Sequence, residues 1–121
     1  MDVDVRPVTN RRELERFARM PWSVYHDDPN WVPPLIRDVV AIFDPDTNPF
    51  FAHGEIVPMM AWRNGDPVGR IAAIRNDNHE HFWHDGCGFF GFFECEDDPE
   101  AAEALVHAAR EQCMAWGATT M

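Results

Sequence analysis

Gly88-Phe89-Phe90-Gly91-Phe92-Phe93-Glu94-Cys95-Glu96-Asp97-Asp98-Pro99 joins a strand to a helix. Aromatic side chains fall on both faces of its first half, which predicts a strand inside a sheet with cover on each side. Asp98 followed by Pro99 is a helix start: the carboxylate caps free amides, and proline suits the first helical position. Strand, short turn and helix N-terminus in that order form the place where many folds hold an anion, because backbone N–H groups converge there. This chain puts acid on that turn.

Downstream, the pattern predicts a helix from Pro99 to about Trp116, with Ala102, Leu105, Ala109, Cys113 and Trp116 on its buried stripe and Gly117 just past its end. Upstream, Asn76 to Asp85 reads as a polar loop. Ile56 to Arg63 and Val68 to Arg75 read as strands joined by an Asn64-Gly65-Asp66 hairpin turn. Val3 to Val8 gives a first strand, and Asn10-Arg11-Arg12-Glu13 has the form of a capping box opening a helix that Pro21 should stop or kink. Pro21 to Pro34, dense in proline and aromatics, reads as an ordered, packed connection, and Leu35 to Phe43 as a second helix. The order is β-α-α-β-β-β-α, an α+β chain with an antiparallel meander. At Ala118-Thr119-Thr120-Met121 a further strand should begin.

With 121 residues, 45% of them hydrophobic, the chain makes one domain or part of one. It contains no apolar run long enough to span a bilayer, and its start lacks the basic and apolar regions of a signal peptide. A formal net charge of -11 argues against nucleic acid and anionic membrane as partners. All ten cations are arginine. Cys87, Cys95 and Cys113 are an odd number at irregular spacing, which suits unpaired thiols and a cytoplasmic location.

Several stretches carry a resemblance: Pro21-Trp22 … Tyr25 … Asp28-Pro29-Asn30-Trp31-Val32-Pro33-Pro34-Leu35, Asn48-Pro49-Phe50-Phe51, Gly69-Arg70-Ile71-Ala72-Ala73-Ile74, and Gly88 to Glu94. Together they closely resemble a bacterial family of GNAT-like proteins (the acyl-CoA N-acyltransferase superfamily), about three times this length and grouped mainly by fold. The element order is that of the first half of the GNAT fold, with the next parallel strand missing. The resemblance implies a partial GNAT-like domain over residues 1–121, an N-terminal piece whose partner is the remaining C-terminal half of its own chain. It also implies acyl-CoA or acetyl-CoA as co-substrate and a small-molecule acyl acceptor.

In GNAT enzymes the pyrophosphate sits on an Arg/Gln-x-x-Gly-x-Gly/Ala turn after the fourth strand. Laid over this chain, that turn falls on Asp97 to Ala102, with acids at Asp97, Asp98 and Glu100 and only Ala102 conforming. Carboxylates within about 5 Å of a pyrophosphate cost on the order of 1 kcal/mol each, so the turn reads as degenerate. The resemblance also implies that the cofactor is gripped between the aromatic strand and the next parallel one, so without that next strand this fragment reads as inactive alone. By the same resemblance Phe92, Phe93, Glu94 and Ala102 are candidate cofactor contacts, a backbone N–H near Phe92 to Glu94 would polarise the thioester, and Glu94 is the candidate general base. Tyr25 and Trp31 are candidate acceptor contacts.

Plainer readings stand beside these. Glu94 and Glu96 share a strand face and suit a strand end entering solvent. The Trp22–Trp31 segment suits core packing. Asp77 to Cys87 holds three His, three acids and a Cys, but its spacing fits no standard zinc motif, and a polar surface loop is the simpler reading, with no metal site. The alternative for the whole chain is a non-catalytic GNAT-like structural or small-molecule-binding module.

Overall fold

The computed structural model describes residues 3–121. The elements are β1 (Val3–Pro7), α1 (Arg11–Val24), α2 (Ile36–Ile42), a 3-10 turn (Pro49–Ala52), β2 (Gly54–Arg63), β3 (Asp66–Asn76), α3 (Asp77–Trp83), β4 (Phe89–Cys95) and α4 (Pro99–Ala115). The four strands form one antiparallel sheet in the order β1-β2-β3-β4. Asn64 and Gly65, both with positive φ (53° and 84°), make the tight turn that joins β2 to β3.

The sheet is covered on both faces. On one, Phe17, Ala18 and Met20 of α1 and Val39 and Val40 of α2 pack with Met60, Trp62 and Ala72. On the other, Ala101, Leu105, Ala109 and Cys113 of α4 pack on Met59, Ala61, Ile71 and Ala73. The buried α4 stripe therefore runs through Ala101, four residues before Leu105, while Ala102 and Trp116 are only half-buried. Gly69 lets α4 lie close: a Cβ there would sit 2.7 Å from Leu105 Cδ1.

Among the described residues β4 is the last strand of this sheet, and Phe90 and Phe93 stay 47% and 38% exposed along it. Two expectations need correction. Asn76 to Asp85 is not a loop throughout: Asn76 accepts from the His79 N–H at 3.0 Å and caps a two-turn helix, α3, which ends at His84 in the left-handed region. Pro21 does not stop α1, which continues to Val24 with the proline ring buried inside it.

The capping box at the start of α1 forms in a shifted version. Asn10 accepts from Glu13 N–H at 2.8 Å, and Glu13 reaches back to the N–H of Thr9 at 3.0 Å. Asp98 and Pro99 start α4 as expected, and Gly117 follows its end with φ +100°. The last residues begin a parallel pairing beside the approach to β4: Thr120 bridges Cys87, and its carbonyl accepts from Gly88 N–H at 2.7 Å.

Candidate functional site

β4 carries a bulge. Arg70 pairs with Glu94 and Ala72 with Gly91, so Phe92 and Phe93 together stand opposite Ile71 alone. Phe92 absorbs the extra residue with φ 58°, an unusual value for a bulky side chain. Its ring turns toward α1 and α2, 5.0 Å from Phe43 and 6.2 Å from Phe17 between centroids.

Arg70, on β3, reaches into this bulge from beneath. It is 7% exposed. Its Nε–H donates to the Phe92 carbonyl at 3.0 Å and its Nη1–H to the Phe17 carbonyl at 2.9 Å. The guanidinium lies 5.0 Å from the Phe17 ring centre and 5.7 Å from that of Phe92. Burial lowers its pKa from the ordinary arginine value, and the charge of Glu94 works the other way.

Past the bulge, Glu94 and Glu96 return to the α1 face. Hydrogen bonding to the Glu94 carboxylate, with burial and the charge of that carboxylate, raises the Tyr25 phenol above its ordinary pKa. Glu96 accepts a hydrogen bond from Ser23 Oγ. Tyr25 stacks on Trp31 with centroids 5.7 Å apart, and Trp22 meets Trp31 edge-on at 5.2 Å. The chain between them is held by Asp28, which accepts from the N–H of Asn30 through its side chain and of Trp31 through its carbonyl. The fold thus brings Tyr25, Trp31, Phe92 and Glu94 to one end of α1, while Phe93 points to the opposite sheet face and is exposed.

Ala102 is elsewhere, one turn into α4, where its N–H donates to the Asp98 carbonyl at 3.0 Å. The four amides that a helix start leaves unpaired can be accounted for. Asp98 N–H goes to the Glu96 carbonyl at 2.7 Å, and Pro99 has none. Ala101 N–H donates to Asp98 Oδ1 at 3.1 Å, and Glu100 N–H also faces that carboxylate. The residues of this turn do not fit a pyrophosphate, because Asp98 already takes the donors.

Arg63 was not anticipated at this turn. Its Nε–H donates to Asp98 Oδ2 at 2.9 Å, and its Nη2–H to Glu100 Oε1 at 2.6 Å and Asp98 Oδ1 at 3.2 Å. The pair holds Asp98 below the ordinary aspartate range. One guanidinium from β2 therefore bridges two of the three acids on the turn, Asp98 and Glu100. Nothing local to the turn signals this contact, which the hairpin alone creates.

Among the described residues, no three His, Cys, Asp or Glu side chains converge as a metal would require. His79 instead pairs with Asp85 at 3.0 Å and packs edge-on against Phe89.

No protein-family model matches the chain. It is similar to the protein named Bacterial ceramide synthase of Caulobacter vibrioides, 38% identical over 120 residues, and to Protein YghO of Escherichia coli, 33% identical over 118 residues. These alignments take in 98% and 95% of the chain but 31% and 29% of the relatives, so the chain spans less than a third of either. Among solved structures it resembles a tandem GNAT protein from the clavulanic acid biosynthesis pathway (TM-score 0.66, 17% identity, 93% of this chain and 33% of that one). It also resembles an aminoglycoside acetyltransferase from an uncultured soil metagenomic sample (TM-score 0.61, 14% identity, 99% and 77%). The strand order, the helices on both faces and these two superpositions establish a GNAT-like fold for the chain.

Proposed function

We propose that this chain is the N-terminal part of a GNAT-fold N-acyltransferase that moves an acyl group from an acyl-CoA thioester to an amine. The observation that carries the reading is the bulge at Phe92, with Glu94 two residues on and the Tyr25–Trp31 stack beside it. The bulge interrupts the regular ladder, so that a backbone N–H can meet a carbonyl oxygen there. In this reading the amine nitrogen attacks the thioester carbon, Glu94 takes the proton that the nitrogen loses, the C–S bond breaks to release the CoA thiolate, and the proton held by Glu94 passes to that sulfur to give the free thiol. Tyr25 and Trp31 line the acceptor side. A ceramide is an amide, so the name of the Caulobacter relative is consistent with N-acyl transfer.

The α4 start takes no part in this reading. With its amides answered by Asp98 and Arg63 closed over it, the phosphates of the donor find their donors outside these residues. Titration of acetyl-CoA into the chain alone is expected to show no one-to-one binding tighter than about 1 mM, a threshold worth about 4 kcal/mol. Sub-millimolar binding would refute the assignment of the phosphate grip to another part of the protein.

A second reading is a non-catalytic GNAT-like module, favoured by the same closed α4 start. Turnover of acyl-CoA with an amine by the longer protein, abolished by Glu94→Gln, decides for the enzyme. Unchanged turnover in that variant decides against Glu94.

A further inference from the structure

We propose that Arg70 is a positioning residue, which fixes the β4 bulge and thereby aims the Phe93 N–H away from β3. The inference rests on the acyl-transfer reading for its purpose, but its geometry stands alone.

An arginine is a costly occupant for the middle strand of a small sheet. Apolar side chains of similar volume usually fill such a place at least as well. Two orphaned acceptors explain it. Pro21 has no N–H, so the Phe17 carbonyl four residues earlier lacks its helical donor. The bulge turns the Phe92 carbonyl out of the regular ladder. The fork of Arg70 supplies one donor to each, at 2.9 and 3.0 Å. One side chain therefore ties a break in α1 to a break in β4.

The consequence for β4 follows from peptide planarity. In a trans peptide the C=O and N–H point in opposite directions. Holding the Phe92 carbonyl toward Arg70 turns the Phe93 N–H away from β3, to the side on which, among the described residues, no strand pairs with it. Arg70 also faces Glu94, its register partner, and Tyr25. No group on α4 reaches it, since that helix lies on the other sheet face.

The test compares Arg70→Met and Arg70→Lys with the parent, by amide NMR of this chain and by steady-state turnover of the longer protein with acetyl-CoA and an amine. In folded Arg70→Met, the amides of Phe92, Phe93 and Glu94 are expected to shift together with those of Phe17 to Met20, while Leu105 and Ala109 stay in place. kcat is expected to fall on the order of 10-fold or more with KM for acetyl-CoA changed less than about two-fold, and Arg70→Lys is expected to recover part of kcat. Unmoved bulge amides in folded Arg70→Met overturn the proposal, and so does a change confined to KM. If Arg70→Met fails to fold, Arg70→Lys carries the same comparison. Shifted amides in a parent protein that never turns over acyl-CoA uphold the anchoring of the bulge and remove the acyl-transfer reading instead.

Discussion

The Phe17 carbonyl, which Pro21 deprives of its helical partner, accepts a 2.9 Å hydrogen bond from Arg70, 53 residues further along the chain. A proline inside a helix costs about 3 kcal/mol against alanine when nothing replaces the lost bond. Here a donor from the sheet replaces it, which is how α1 runs on to Val24.

That relationship predicts a coupling. Arg70→Met orphans two carbonyls and is expected to destabilise the chain by roughly 3 kcal/mol in urea unfolding. In a Pro21→Ala background the restored N–H serves Phe17, and the loss from Arg70→Met should shrink by about 1 kcal/mol. A double-mutant cycle that closes within about 0.5 kcal/mol means the two residues do not share that carbonyl.

Tyr25 is the single tyrosine of the chain, so its phenolate absorbance reports one group. Its pKa is raised chiefly by the hydrogen bond to Glu94. Spectrophotometric titration should place it above the ordinary value of about 10, and Glu94→Gln should bring it down. Because the folded value lies above the unfolded one, the contact stabilises fully below pH about 10 and fades as pH rises through the folded pKa. A tyrosine that titrates identically in parent and variant leaves Glu94 out of contact with it.

Asp98 makes the opposite case. Its pKa is depressed by hydrogen bonds from Arg63 and the Ala101 N–H. The stabilisation is present above the unfolded value of about 4 and is lost as pH falls through the folded one. Arg63→Met should therefore lower Tm at pH 7, with the difference from the parent closing in acid. A difference that persists unchanged at pH about 2 points to lost packing of the arginine stem.

Gly88 lies against α4, where an added Cβ would come within 2.6 Å of both Cβ and Sγ of Cys113. The Cys113 Cβ belongs to the helix and cannot swing aside. Gly88→Ala should cost about 1–3 kcal/mol by chemical denaturation, as overpacking does. A neutral result means the β4 approach is free to move off the helix.

Much of the fold is legible in the sequence because the signals are local. Asn10 with Glu13, Asp98 with Pro99, Asn64 with Gly65 and Gly117 each act within a few residues, and each sits where its chemistry places it. Glu94 and Glu96 fall on one face because strand period is fixed. The contacts that escape sequence reasoning join distant residues: Arg70 to Phe17, and Arg63 to Asp98 and Glu100. A charge set in the apolar run Gly69-Arg70-Ile71-Ala72-Ala73-Ile74 was the available sign of the first. For the second there was none, since Arg63 reads as an ordinary strand end. Helix α3 was hidden for another reason: its residues carry no buried stripe, and Phe82 and Trp83 remain 72% and 64% exposed. Only the Asn76 cap and the approach of Gly86 to Glu80 Oε1 declare it.

A guanidinium keeps its proton at any pH this fold can survive. The brace between the interrupted helix and the kinked strand is thus deaf to acidity, while the phenol–carboxylate couple next to it listens. Swapping a histidine into the brace would turn a permanent joint into a hinge that loosens as the solution turns alkaline.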